Sequence, residues 1–386
     1  MGKMVDEILY FILERILCLS NGKSKTINPP EIKRILAIGG GGGIGDLLRA
    51  LPALESLNYN FPHAKISLLA SNICSEILTL FPNKHIISEV IEYDPKRGHK
   101  SFLKKLFLVL SLRKRHFDLT FFPSRGEGMR KEALMNFIIG ATHRLGFIKG
   151  KVGSLNTIKL ELRDDVPIIK QNLDILAAAN LKMRYSEKTL EVPEKYLTEA
   201  NEFLMLHTPN NTFPIISLHP GALWYSERRC WPIEKYVQLI KSIIDEFGAK
   251  VVVVGTKEET LISETLNKNI KSPFILNMIG KTTVVQTAAF IKVSHLFIGN
   301  DSGPFHIANF LNVPTIVLFG ATSSGQVVSS VNNCTIVSKN LSCSPCYLHY
   351  PGIIPDCKDA RCLNEIEVEE VMNAVRKEIK RQAGHD

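Results

Sequence analysis

Ile35-Leu36-Ala37-Ile38-Gly39-Gly40-Gly41-Gly42-Gly43-Ile44-Gly45-Asp46 reads as a short apolar strand, a glycine turn and the opening of a helix. Glycine is what lets a backbone turn this tightly and bring its N–H groups against a ligand. The helix should run from about Asp46 to Asn58. Ile66 to Ala70 then forms a continuous apolar run, as a parallel strand covered on both faces requires. Ile86 to Tyr93, Leu119 to Phe122 and Arg144 to Phe147 extend the strand series, and Gln171 to Leu181 reads as a helix.

A helical stretch from Glu191 to Thr212, punctuated by Pro193 and Pro209, marks the join to a second series. There the strands are Ile215–Leu218, Lys250–Val254, Ile275–Met278, Leu296–Ile298 and Thr315–Phe319. The helices are Glu234–Phe247, Glu258–Leu266, Thr283–Val293 and Pro304–Leu311. Alternation of this kind in both halves predicts an α/β fold with two doubly wound parallel sheets, Rossmann-like in each half. The expected domains are an N-terminal helical extension (1–30), a first Rossmann-like domain (31–190) and a second (191–386). The last helix, Glu365 to Arg381, is acidic early and basic late, matching the helix dipole. It belongs to the second domain or packs back on the first.

A chain of 386 residues is too long for one ordinary core and comfortable for two. Ile8 to Leu19 is apolar but is interrupted by Glu14 and Arg15 and is too short to span a bilayer. Ile8, Phe11, Ile12, Ile16 and Leu19 share one helical face, so a helix docked on the protein body is expected in preference to one lying on a membrane. The net charge of +9 leaves nucleic acid, an anionic membrane face or a phosphorylated substrate as partners. Lys96, Arg97, Lys100, Lys104, Lys105, Arg113, Lys114 and Arg115 are interleaved with Phe102, Leu103, Leu106, Phe107 and Leu110. This pattern predicts an amphipathic helix with a basic outer face. That face is either simply solvated or drawn to an acidic lipid-linked acceptor or the anionic inner leaflet. No aromatic stacking platform accompanies it, so nucleic acid is not expected as a partner. Eight cysteines in so long a chain argue against a disulfide scaffold. Cys343, Cys346, Cys357 and Cys362 cluster late in the chain, and a small metal site, a redox-sensitive loop and inert thiols are all open.

Gly40, Gly42 and Gly45 meet the dinucleotide-fingerprint spacing, but five consecutive glycines match almost any pattern. The second strand ends in Ala70-Ser71-Asn72, without the acid that would hold a nicotinamide ribose, and no Gly-Lys-Ser/Thr follows the glycines. Asp46 stands at a turn that faces the ligand crevice of an open α/β sheet. It is either a general base or a helix cap. In the second half, His219-Pro220-Gly221-Ala222 leads through an irregular loop to Arg228-Arg229-Cys230-Trp231-Pro232. Arg229 could grip phosphate oxygens there, while Trp231-Pro232 packs the loop. Glu259, after Gly255-Thr256-Lys257-Glu258, could bind ribose hydroxyls or simply complement the helix dipole. Gly299-Asn300-Asp301-Ser302-Gly303-Pro304-Phe305-His306 reads as a capped helix start with free N–H groups, a diphosphate site. Asp301 is placed to hold sugar hydroxyls beside it, and His306 to face the phosphates.

Taken in order, these stretches resemble the ADP-heptose:lipopolysaccharide heptosyltransferases, glycosyltransferase family nine. The resemblance runs from about Arg34 to Val375. It is carried by Gly45-Asp46-Leu47-Leu48-Arg49-Ala50-Leu51-Pro52, by His219-Pro220-Gly221-Ala222 with Arg229-Cys230-Trp231-Pro232, by Asn300 to Ala308 and by Val313 to Gly320. Cys343-Ser344-Pro345-Cys346 is similar to the tails of that family. The resemblance implies a GT-B architecture, two domains facing across a cleft, and an inverting, metal-independent transfer with no cofactor beyond a nucleotide-sugar co-substrate, ADP-heptose. It implies a lipid-linked glycan acceptor and a cytoplasmic enzyme peripheral to the inner membrane. Asp46 matches the family's catalytic base, and Asp301, Ser302, Gly303 and His306 match its donor-binding turn. Glu259 matches the ribose-binding acid, Arg229 stands where relatives have a phosphate-binding lysine, and Gly43 and Gly45 form the phosphate or acceptor loop. Two other classes stay open: a GT-B enzyme using another nucleotide sugar on a different envelope glycan, and a non-catalytic nucleotide-binding homologue.

Overall fold

Six parallel strands form the first sheet: β1 (Arg34–Ile38), β2 (Lys65–Ala70), β3 (Ile87–Glu92), β4 (Leu119–Phe122), β5 (His143–Ile148) and β6 (Ile158–Glu161), in the order β3-β2-β1-β4-β5-β6. The computed structural model describes residues 26–39, 43–94, 98–99, 101–125, 128–186, 190–208, 214–222, 226–328, 333–347, 357 and 359–384. The expected N-terminal helix, Gly40 and Gly42 of the fingerprint, and Lys96, Arg97 and Lys100 lie outside these residues. β1 sits between two parallel neighbours, with Ile35 opposite Ile66 on one side and Leu119 on the other. Its Ile35, Leu36, Ala37 and Ile38 are fully buried, which is why the strand reads as an unbroken apolar run.

The second sheet repeats the plan. β7 (Ile215–His219), β8 (Lys250–Val253), β9 (Ile275–Asn277), β10 (Leu296–Asn300), β11 (Thr315–Phe319) and β12 (Cys334–Ser338) lie in the order β12-β11-β10-β7-β8-β9. Strand order reverses at β1/β4 in one sheet and at β7/β10 in the other, and such switch points open a crevice at the strand C-termini. The chain divides into two compact units, and Leu190 opens the second.

Among the elements not anticipated from the sequence are β6, β12 and the Asn72–Leu78 and Gly128–Ile139 helices. Both strands are sheet edges with mixed exposure, so they lack the apolar run that marks an interior strand. Of the two placements left open for the last helix the structure shows the first, and one further expectation is corrected. The Val368–Ala383 helix buries Val371, Met372, Val375 and Ile379 in the second unit's own core, beside Ile240 and Ile243. Arg376 ties it there by a two-pronged bond to Glu246. It is therefore part of the second unit's packing, and Glu367 with Glu370 closes its start as a capping box.

The corrected expectation concerns the helix over Phe102–Arg113. Among its described side chains Val109 and Leu112 are buried, with Leu108 partly buried against the same cluster. Leu103, Phe107 and Leu110, expected on the inner face, are instead 61%, 70% and 42% exposed. In the run Leu106-Phe107-Leu108-Val109-Leu110 every residue is apolar, so periodicity cannot choose which side meets the sheet.

Candidate functional site

The second unit gathers three turns into one polar cluster. Gly299 pairs with His219 in register, so the C-terminal ends of β10 and β7 lie side by side. The buried His219 ring bridges them to β8: Nδ1 is 2.8 Å from Ser302 Oγ and Nε2 is 3.1 Å from Glu259 Oε1. The Thr256 N–H donates to Glu259 Oε2 at 2.7 Å, making Thr256 and Glu259 the capping box of a short 3-10 turn. Burial pushes the Glu259 carboxyl up, but the His219 hydrogen bond and charge, with bonds from Thr256, outweigh it, and the group titrates below its ordinary value. The carboxylate occupies space that two glycines leave: a Cβ on Gly221 would lie 1.7 Å from Oε1, and one on Gly255 would lie 2.7 Å from Oε2.

Asn300 locks the same turns from below. Fully buried, it donates to the Pro220 carbonyl at 2.7 Å and accepts from the Trp231 N–H at 3.1 Å. Trp231 packs edge-on against Tyr236 and donates its indole N–H to the Ile366 carbonyl, which is the packing role the sequence suggested for Trp231-Pro232. Cys230, between Arg229 and Trp231, stays a thiol, because burial and then the Glu259 charge raise it to about 12.

The remaining donor-turn residues form a second knot. Arg229 Nη2 donates to Asp301 Oδ2 at 2.8 Å and to the Asp301 carbonyl at 2.6 Å. His306 Nε2 lies 3.5 Å from Asp301 Oδ1. The Asp301 carboxylate, expected to face sugar hydroxyls, is thus held between a guanidinium and an imidazole. Ser302 is the N-cap of the Gly303–Phe310 helix, but its hydroxyl serves His219 and makes no side-chain cap bond. The first N–H groups of that helix have no intrahelical acceptor and face the turn.

In the first unit Gly43 is the N-cap of the Ile44–Asn60 helix, Gly45 lies in its first turn, and Asp46 follows. Asp46 is not itself the cap. Its carboxylate is 39% exposed, and Oδ1 accepts from the buried Arg49 guanidinium at 2.8 Å. The Arg49 carbonyl accepts from Asn172, whose Oδ1 accepts from Arg125 at 2.6 Å, so residues after β1 and β4 are tied together at the switch point. Glu132, on the Gly128–Ile139 helix after β4, is buried, and its Oε2 makes no hydrogen bond among the described residues. Burial first, then the negative charge of Asp46, raise its carboxyl to about 8, with Lys105 opposing.

The structure therefore brings Arg229, Glu259, Asp301, Ser302, Gly303 and His306 into one cluster and places Asp46 with Gly43 and Gly45 at the glycine turn of the other unit. Sequence reasoning gave no role to His219, Asn300, Arg49 or Glu132. The first three stood within quoted motifs; Glu132 carried no signal. Burial raises Cys346 and Cys362, and the charges of neighbouring late cysteines add to it. Among the described residues no group of His, Cys, Asp and Glu is arranged to hold a metal ion, and no helix is long and apolar enough to cross a membrane.

This chain is similar to known proteins over most of its length. The family described as glycosyltransferase family 9 (heptosyltransferase) matches residues 108–350. Lipopolysaccharide heptosyltransferase 2 of Escherichia coli K12 is 27% identical over 305 residues, covering 75% of this chain and 83% of that protein. Lipooligosaccharide heptosyltransferase 2 of Campylobacter jejuni is 26% identical over 341 residues, covering 86% of this chain and 96% of its own length. Among solved structures, E. coli ADP-heptose LPS heptosyltransferase II superposes with a TM-score of 0.68 at 20% identity, covering 91% of this chain and 99% of that one. A family 9 glycosyl transferase from Veillonella parvula gives 0.73 at 19% identity, covering 93% and 100%. The fold is that of the GT-B heptosyltransferases, as the sequence predicted.

Proposed function

The chain belongs to glycosyltransferase family 9, the heptosyltransferases, and from that premise we propose that it transfers heptose from ADP-heptose to the inner core of a lipopolysaccharide. The observation that carries the donor half of this reading is the bridge from Ser302 through His219 to Glu259, which ties together the ends of β10, β7 and β8. A site with buried partners already fixed loses little order when a ligand arrives. Glu259 Oε1, bonded among the described residues only to His219, keeps a lone pair for a ribose hydroxyl. The diphosphate lies at the start of the Gly303–Phe310 helix, where Arg229 and His306 exchange part of their contact with Asp301 for phosphate oxygens.

The reaction is a single displacement with inversion. Asp46 accepts the proton of the acceptor hydroxyl as that oxygen bonds to the anomeric carbon, and the bond from the anomeric carbon to ADP breaks. Charge growing on the departing diphosphate is met by Arg229 and the helix N–H groups, so these positive groups take the place of a divalent cation. The acceptor is a lipid-linked glycan, with the Gly43–Gly45 turn approaching it. The enzyme works in the cytoplasm, peripheral to the inner membrane. We expect incubation with ADP-heptose and a heptose-deficient lipooligosaccharide, in the presence of EDTA, to add the mass of one heptose. Transfer only from UDP- or GDP-sugars would overturn the donor assignment, and transfer only on adding a metal would overturn the metal-free step.

A further inference from the structure

The Phe102–Arg113 helix carries an apolar ridge that the first unit's core does not use. Leu103, Phe107 and Leu110 follow each other at spacings of four and three residues, which places them on one line of the helix, and among the described residues of this segment they are the exposed large apolar side chains. Val109 and Leu112, on the other side, hold the helix to the sheet. Lys104 and Lys114 are exposed beside the two ends of the ridge. Arg113 and Arg115 are engaged instead with the Ile138 carbonyl and Glu89. From Lys96 to Phe117 the chain has eight lysines and arginines and no aspartate or glutamate. Met205, Leu206 and Leu261 are also exposed in the second unit, but no basic run accompanies them.

We propose that this ridge is the surface by which the protein seats on an anionic lipid bilayer, with Leu103, Phe107 and Leu110 entering the acyl boundary and Lys104 and Lys114 meeting lipid phosphates. Apolar side chains backed by cations, on an acid-free segment, match the two layers of such a surface: hydrocarbon below and negative headgroups above. A protein partner would have to supply an apolar groove rimmed by acids at the same spacing. A bilayer supplies both without any shape requirement. The inference rests on the lipid-linked acceptor proposed above, because a membrane-held acceptor gives the ridge its use.

The test is co-sedimentation of the full chain with vesicles of phosphatidylcholine alone and of phosphatidylcholine mixed with phosphatidylglycerol. The wild type should bind the mixed vesicles, and salt should release it. Leu103→Ser/Phe107→Ser/Leu110→Ser should weaken binding by at least about tenfold, and Lys104→Glu/Lys114→Glu by about tenfold. Both variants should keep wild-type turnover on a delipidated, water-soluble acceptor, a readout that fails separately if the transfer reading is wrong. Full vesicle binding by the triple-serine variant overturns the inference. So does a wild type that binds vesicles only after residues 1–25 are removed, which would make that segment the ridge's occupant. A wild-type dimer that the triple-serine variant turns into a monomer, with no change in vesicle binding, would assign the ridge to a second copy and equally overturn it.

Discussion

At the end of β1 stand a glycine turn and a half-exposed carboxylate, with a buried acid on the helix after β4; at the ends of β7, β8 and β10 stand three turns cross-linked by buried hydrogen bonds. The two sheets share one strand order, and both places are topological switch points. What differs is how the polar groups are paired. In the second unit Glu259 is ionised and clasped by His219 and Thr256, and Asp301 is clasped by Arg229 and His306. In the first, Asp46 has Arg49 on one oxygen and a buried acid near it that holds its proton. A cluster fixed in this way suits the recognition of a ligand with set geometry. A buried acid that holds its proton, in the field of an exposed carboxylate bonded to a guanidinium, suits the movement of a proton.

The sharpest way to break this contrast is Asp46→Asn. The amide keeps the size and the contact with Arg49 but cannot accept a proton. Transfer should fall by roughly 10²–10⁴-fold, the usual worth of a positioned base. ADP binding, followed by calorimetry, should stay at the wild-type value because the donor knot lies in the other unit. A variant that turns over normally would remove Asp46 from the chemistry. One that also loses ADP would erase the distinction between the two turns.

A smaller effect is expected from a methyl group. In Gly221→Ala the new Cβ would stand 1.7 Å from Glu259 Oε1, so the carboxylate must leave its place and the His219 bond with it. In Gly43→Ala the nearest atom is Asp46 Oδ2 at 3.6 Å, an ordinary contact. Overpacking of this kind costs about 1–3 kcal/mol. The first variant should therefore melt earlier and bind ADP at least about tenfold more weakly, through the displaced Glu259 and His219. The second should melt with the wild type. Equal melting temperatures and equal ADP affinities would mean that the second unit's cluster is less tightly fixed than its hydrogen bonds imply.

The same contrast explains what could be read before the structure was known. Interior strands such as Ile35–Ile38 and Thr315–Phe319 are buried on both faces, and their apolar runs announce them. The edges β6 and β12 meet solvent on one side and do not. Asp46, Asp301, Ser302 and Gly303 were legible because chemistry at a strand-to-helix turn is local: the residue and the turn that aims it are neighbours in sequence. His219 is a hub only because β7 lies between β8 and β10, an adjacency that the crossovers create. Its role was hidden in a motif that had been noticed. Glu132 is the extreme case. In Gly128-Met129-Arg130-Lys131-Glu132-Ala133 it looks like one more charged residue on a helix surface. Only packing after β4 puts it inside, within the field of Asp46.

That buried acid gives the finest test of the first unit. Glu132 is neutral below about 8 in the folded protein, whereas in the unfolded chain it ionises near 4.5, the ordinary value for a glutamate. Across the interval between them the folded state holds a proton that the unfolded state has lost. Stability must therefore decline as pH rises through that interval and level off above about 8. Each pH unit between the two values corresponds to about 1.4 kcal/mol. Glu132→Gln copies the neutral acid in shape and charge and lacks this decline. The melting temperature of the variant relative to wild type should thus climb from acidic pH to about 8 and then stay constant. At neutral pH its turnover should lie within about twofold of wild type, since the group that Asp46 faces is unchanged in charge. Above about 8 the wild type should lose turnover as a second negative charge appears beside Asp46, and the glutamine variant should not. A melting difference that is flat with pH would show that Glu132 is ionised throughout. Asp46 would then share its turn with a second anion rather than with a held proton, and the first unit would be no better arranged for proton movement than the second.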